Sequence, residues 1–268
     1  IRHLALFSIL ALNVCAWTSP ASAAEPRTDA PQLKRDRESE PPSQPIGGGR
    51  IKVLMIGGPG HDWKGFHAAI APVLEKTGGF ELTLTEKLDD LKGDNLSKCK
   101  IVLFYGSGGD FSDPKQEEGL QEFVKKGGGL AGVHATDAFK RSDVYWRLMG
   151  GRFTTHGGGK FWLRIEDRQH PITTGMKDFE IQDETYQNQF HPDFKLHSLG
   201  RIDRGNEQQA MVWVQDYQQG RVFNTTLGTT LGHDGAAWEH PTLQRLFVRG
   251  LQRAGGREPK DISLEKPE

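Results

Sequence analysis

Apolar and polar positions along the chain alternate between two periods. Ile51-Lys-Val-Leu-Met-Ile56 is a short apolar run closed by Gly57-Gly58, which predicts a buried strand. Phe66, Ile70, Val73 and Leu74 then recur at i, i+4, i+7 and i+8, the apolar face of a helix. Phe80 to Thr85 alternates like a strand, and Ile101 to Tyr105 is a second buried run. Asp113-Pro114 with Gln116 predicts a helix start, with Asp as N-cap, Pro in the first turn and Gln reaching back. Leu120, Phe123 and Val124 give that helix its stripe, and Gly127-Gly128-Gly129 ends it in a left-handed turn. Leu130 to Val133 is a fourth strand.

The second half reads differently. Residues 161–165, 179–181, 210–214 and 221–225 are strand-like and follow one another without long helices. A last helix carries Leu243, Leu246, Phe247 and Leu251. Strand–helix alternation implies a parallel sheet covered on both faces. The expected fold is therefore α/β: one doubly wound, mostly parallel sheet flanked by helices, with added antiparallel strands, over residues 50–255.

The two ends of the chain are of another character. Arg2 and His3 precede an apolar run from Leu4 to Trp17, followed by Ala21-Ser22-Ala23. A basic flank, an apolar core and an A-x-A site predict a cleaved signal peptide over residues 1–24, and hence export to the periplasm or beyond. The run is shorter than the ~20 residues a membrane span needs. A lipoprotein anchored through Cys15 is the rival reading, which bulky Val14 opposes. Residues 25–49 are dense in Pro, charge and Gly and predict a disordered linker; residues 256–268 predict a flexible tail. After cleavage Cys99 is the one remaining cysteine, so no internal disulfide is expected. Formal net charge is −1 with no basic excess, which argues against nucleic acid or an anionic membrane as partner.

Ligands of open parallel sheets bind beyond the carboxyl ends of the strands. Three such ends are loaded here: Gly57-Gly-Pro-Gly-His61-Asp62-Trp63, Gly106-Ser-Gly-Gly-Asp110 and His134-Ala-Thr-Asp137. Fold logic makes His61, Asp62, Asp110, His134 and Asp137 neighbours. The glycine loop lacks both the G-x-G-x-x-G and the P-loop spacing, so no nucleotide is expected. Gly129-Leu-Ala-Gly132-Val-His134-Ala-Thr-Asp137 places His134 where a nucleophile elbow holds Ser or Cys. No acyl-enzyme is expected, and imidazole at that turn suits a general base or a metal ligand. Downstream, His156 precedes three glycines, Asp183-Glu184 follows a strand and His233-Asp234 ends a Gly-rich stretch. His61, His156 and His233 are candidate ligands for Zn²⁺ or a similar divalent ion, although no H-x-x-x-H or H-E-x-x-H spacing supports one. The bland alternative is that these groups hydrogen-bond a polar ligand with no ion.

Together these stretches resemble the ThuA-like family, named for trehalose utilisation. The resemblance rests on Gly-Gly-x-x-His-Asp-Trp63, Phe-Tyr-x-Ser-Gly-Gly-Asp110 and Gly-Gly-Gly-Leu-Ala-Gly-Val-His-Ala-Thr-Asp137. Gly-Gly-Arg-Phe-x-x-His156, Asp-Glu-x-Tyr186 and Gly-Arg-Val-Phe-Asn-Thr-Thr-Leu-Gly228 follow in the same order. It implies a flavodoxin-like fold related to class I glutamine amidotransferases, without their cysteine. It also implies a role in disaccharide or glycoside catabolism beside a partner sugar dehydrogenase that oxidises a hydroxyl to a ketone.

The chemistry expected is cleavage of a glycoside or its 3-keto derivative by elimination or hydrolysis. His134 would be the base, Asp137 would orient it and Glu184 would protonate the leaving oxygen. Asp62, Trp63, Asp110, Asp183 and Tyr186 would bind the sugar. The runner-up is a sugar-binding module without turnover. An enzyme of this design needs His134 and Glu184 to face each other across an open crevice.

Overall fold

The computed structural model describes residues 49–58, 60–203, 209–230 and 236–261. The expected signal peptide, nearly all of the linker, His233 and most of the tail lie outside the described residues.

Among the described residues the strands are β1 (Ile51–Gly57), β2 (Phe80–Thr85), β3 (Ile101–Tyr105), β4 (Gly129–Val133), β5 (Gly151–Ile165), β6 (Phe179–Phe190), β7 (His197–Ile202), β8 (Ala210–Tyr217) and β9 (Gly220–Thr225). They form one sheet in the order β2-β1-β3-β4-β9-β8-β7-β5-β6. Every pairing from β2 to β9 through β4 is parallel, and every pairing beyond β9 is antiparallel. Four helices, α1 (Trp63–Lys76), α2 (Pro114–Lys125), α3 (Asp143–Met149) and α4 (Pro241–Ala254), cover the parallel half. Phe66 and Ile70 of α1 and Leu246 and Phe247 of α4 share one core, while Leu120 of α2 and Leu148 of α3 share the other. Helices on both faces make this the doubly wound α/β fold that strand–helix alternation predicts.

Local chemistry accounts for the starts of these helices. Asp62 accepts from Gly65 N at 2.9 Å and caps α1. Asp113 and Gln116 form the predicted reciprocal capping box of α2. Each satisfies backbone N–H groups that a helix start leaves unpaired.

The antiparallel half departs from expectation in extent. β5 runs back to Gly151 and β6 on to Phe190, so His156 and the three glycines after it lie in a strand rather than a loop. β7 was not expected at all. The reason is exposure: Thr154 to Gly158 are all solvent-exposed, so their ladder carries no apolar alternation to read. Asp183, Glu184 and Tyr186 likewise lie inside β6 rather than after a strand. In the register His156 is opposite Tyr186, and Gly158 is opposite Glu184.

Candidate functional site

Three loops leave the carboxyl edge of the parallel strands together, flanking β1 and β3, where the strand order reverses. The loop after β1 carries His61. The end of β3 carries Tyr105 and then Ser107. The turn after β4 carries His134, whose φ of 56° is left-handed, and whose N–H donates to the carbonyl of Thr225 at 3.0 Å. The second and third loops are laced together: Gly108 N donates to Asp137 O at 2.9 Å and Ser107 Oγ to Asp137 Oδ2 at 2.7 Å.

The β5–β6 ribbon closes the site from the other side. Directly opposed residues share a sheet face, so His156, Tyr186 and Glu184 present to one side. Tyr186 packs on His134 with ring centroids 4.7 Å apart and planes tilted by 35°, and leans on Phe153 at 4.6 Å. Its hydroxyl reaches His61 Nε2 at 3.3 Å. The same nitrogen stands 3.9 Å from Asp137 Oδ2, and Asp137 also pairs with Lys140. His156 Nδ1 lies 3.9 Å from Glu184 Oε2. The rings of His61 and His134 stack at 5.5 Å, with Tyr105 at 5.8 Å from each.

Burial sets the charge states. His61 is held below its ordinary value chiefly by desolvation, which outweighs the nearby Asp137 and Glu184 carboxylates. His134 is fully enclosed and pushed far lower, by desolvation and then by the neighbouring imidazoles. Both are neutral at neutral pH. Desolvation also raises the phenols, Tyr105 to about 12 and Tyr186 further, so both remain O–H donors.

Of the residues singled out in the sequence, His61, His134, Asp137, His156, Glu184 and Tyr186 come together. Asp137 does not orient His134, because neither ring nitrogen of His134 has a hydrogen-bond partner among the described residues. His134 has no exposed surface, so it does not look across an open crevice at Glu184. Asp62 is spent capping α1. Trp63 packs against Gly57, where an added Cβ would lie 2.8 Å from its ring. Asp110 turns outward to Arg141 at 2.8 Å. Asp183 is fully buried and accepts from Gly228 N at 2.6 Å, Glu184 N at 2.8 Å and Thr229 N at 3.2 Å. Its carboxylate is a structural clasp on the chain leaving β9, out of reach of a sugar.

Tyr105, Ser107, Lys140 and Phe153 join the site without having been singled out. Tyr105 and Ser107 sit in the loaded end of β3 and were legible there. Lys140, three residues beyond Asp137, carries only that spacing as a signal, and Phe153 stands within the Gly-Gly-Arg-Phe-x-x-His156 motif. Among the described residues no group of three or more His, Cys, Asp or Glu is arranged to hold a metal. The expected trio of His61, His156 and His233 is incomplete there, since His233 lies outside the described residues.

The match to known proteins is decisive at the level of family. The family model for ThuA, described as trehalose utilisation, matches residues 52–254. The chain belongs to the ThuA family. A ThuA-like protein of Parabacteroides merdae shares this ThuA fold with a TM-score of 0.69 at 20% identity, over 81% of this chain and 95% of that one. A ThuA-like protein of Bacteroides uniformis follows at 0.63 and 15%, over 82% and 99%. A β-galactosidase of Bacillus circulans sp. alkalophilus shares the fold alone, at 0.53 and 10%, over 78% of this chain and 32% of that one. No curated protein sequence matches this ThuA chain.

Proposed function

We propose that this ThuA-family protein cleaves a glycoside carrying a 3-keto group by elimination. Membership of a family linked to trehalose utilisation supports a carbohydrate as substrate. The observation that carries the reaction type is the neutral His61 imidazole, its Nε2 within reach of the Tyr186 hydroxyl and facing Asp137. A ketone at C3 acidifies the proton on C2. His61 takes that proton, and the electron pair passes into the C2–C3 bond and onto the C3 oxygen as an enolate. The Tyr186 hydroxyl and the Lys140 ammonium stand where they can stabilise that oxygen. The enolate then re-forms the ketone, a C1–C2 double bond appears, and the C1–O bond breaks. The departing oxygen takes its proton from the His156–Glu184 pair. Asp137 offsets the imidazolium that His61 becomes.

His134 acts in this reading as a buried floor beneath His61 and Tyr186. The keto group is supplied by a sugar-oxidising dehydrogenase acting before it, outside the cytoplasm where the leader would place the protein. The enclosure of His134 favours a second reading, a sugar-binding module, because an elbow imidazole with no exposed surface has no open path to a proton on a substrate in the crevice. Incubating purified protein with a 3-keto disaccharide separates the two. Release of free sugar with appearance of an enone, lost in His61→Ala, supports the lyase. Absence of turnover with retained sugar binding in calorimetry transfers the site to the binding reading.

A further inference from the structure

Behind Tyr186 lies a group of polar atoms that the described residues leave unpartnered. They are both ring nitrogens of His134, the Thr136 hydroxyl, and both amide atoms of Asn188 and of Asn224. His134 and Asn224 are 0% exposed and Thr136 is 1% exposed. An unpartnered buried polar atom costs a fold its desolvation penalty, so a cluster of them calls for something that satisfies it.

Strand geometry brings these groups together. Tyr186, Asn188 and Phe190 share one face of β6, because every second residue does. The Tyr186 ring lies on His134, and the Phe190 ring meets Trp213 at 5.3 Å. Asn188 lies between them on that face, its Cβ 3.5 Å from where Gly151 would carry one, beside the Trp213 ring. Asn224 is the cross-strand neighbour of that same Trp213, and the residue after it accepts the His134 N–H. Its amide rests on Gly132, where an added Cβ would lie 2.3 Å from Asn224 Oδ1 and 3.1 Å from Ala135 in the His134 turn. Two primary amides from β6 and β9 thus flank the elbow after β4 that carries the buried His134 imidazole and, two residues on, the buried Thr136 hydroxyl.

We propose that His134, Thr136, Asn188 and Asn224 form a buried subsite for neutral hydroxyl oxygens. All four side chains are uncharged and together offer both donors and acceptors. A hydroxyl, which donates and accepts, matches that mixture where an anion or a cation does not. Its source is either ordered water or one hydroxyl arm of a carbohydrate admitted past Tyr186. The subsite stands whether or not the outer site turns over a glycoside.

A high-resolution crystal structure of the protein, free and soaked with trehalose, tests this directly. We expect oxygen density within hydrogen-bond distance of a His134 ring nitrogen and of both amides. Density that persists unchanged on soaking assigns the subsite to water, and replacement by a sugar hydroxyl assigns it to the ligand. Amides that pair with each other or with protein groups, with no oxygen between them, overturn the proposal. The double variant Asn188→Leu/Asn224→Leu gives a second reading. An occupied subsite predicts a lower melting temperature and a shifted His134 ring-nitrogen resonance. A melting temperature equal to or above that of the parent overturns it, because removing unpartnered amides then relieves the fold.

Discussion

The Tyr186 hydroxyl stands 3.3 Å from Nε2 of His61, joining a strand of the antiparallel half to the first loop of the parallel half. Tyr186→Phe removes this one contact and keeps the ring packing on His134 and Phe153. Turnover of a 3-keto glycoside should fall by ~10²-fold, the lower end of what one donor to a developing oxyanion contributes, with an unchanged melting temperature. A variant as active as the parent removes Tyr186 from the chemistry.

His61 acts as a base only when neutral, and burial lowers its protonation range below the ordinary 6.5. The acidic limb of the kcat/KM profile should therefore have its midpoint below pH 6.5, where the imidazole takes a proton. Steady-state kinetics between pH 4.5 and 8 checks it. An acidic limb whose midpoint lies above 6.5 assigns that titration to another group.

Stability should carry a separate pH signature from His170, which burial, with Arg253 and His197 adding to it, lowers to about 4. Its folded value lies below its unfolded one, so its contribution is complete above pH 6.5 and is lost as pH falls toward 4. The loss amounts to as much as about 3 kcal/mol. His170→Asn keeps an acceptor for Ile172 N, which donates to His170 Nδ1 at 3.1 Å. The difference in unfolding free energy between parent and variant, from urea titrations at pH 7 and pH 4.5, should shrink at the lower pH. A constant difference shows that His170 titrates normally.

Asp183 should slope the other way. Desolvation raises its carboxyl to about 7 against three backbone N–H groups that favour the charge. The fold therefore loses stability as pH rises from about 4 to 7, by as much as about 4 kcal/mol. Asp183→Asn abolishes that slope and adds a constant penalty of about 1–3 kcal/mol, since its NH₂ faces backbone donors. Urea unfolding across that pH range tests both effects, and a parallel pair of curves excludes the assigned titration.

These residues also show what could be read from the chain. The parallel half was legible because its strands are apolar runs and its helices announce themselves with caps, as Asp113 and Gln116 do. His134 at the elbow was legible for the same reason, since a strand, a sharp turn and a helical start fix its place. The ribbon that completes the site was not. Its residues from Thr154 to Gly158 are exposed, and pairing between exposed strands leaves no period in hydrophobicity. Asp183 misled in a different way: a carboxylate beside Glu184 reads as surface chemistry, yet the chain leaving β9 covers it completely. Only tertiary packing decides that.

The pair that opens the site lies 125 positions apart in the chain, as do Tyr105 and Thr230, whose side-chain oxygens meet at 2.9 Å. Closing such distant contacts costs loop entropy that is repaid only when both halves are in place. Strands β1 to β4 with α1 to α3 can assemble much of one core without bringing the Tyr186 phenol to His61. In refolding, recovery of ligand binding should therefore trail the return of sheet and helix signal. Chains trapped with only the parallel half formed would register as structured in circular dichroism and silent in any assay of the site.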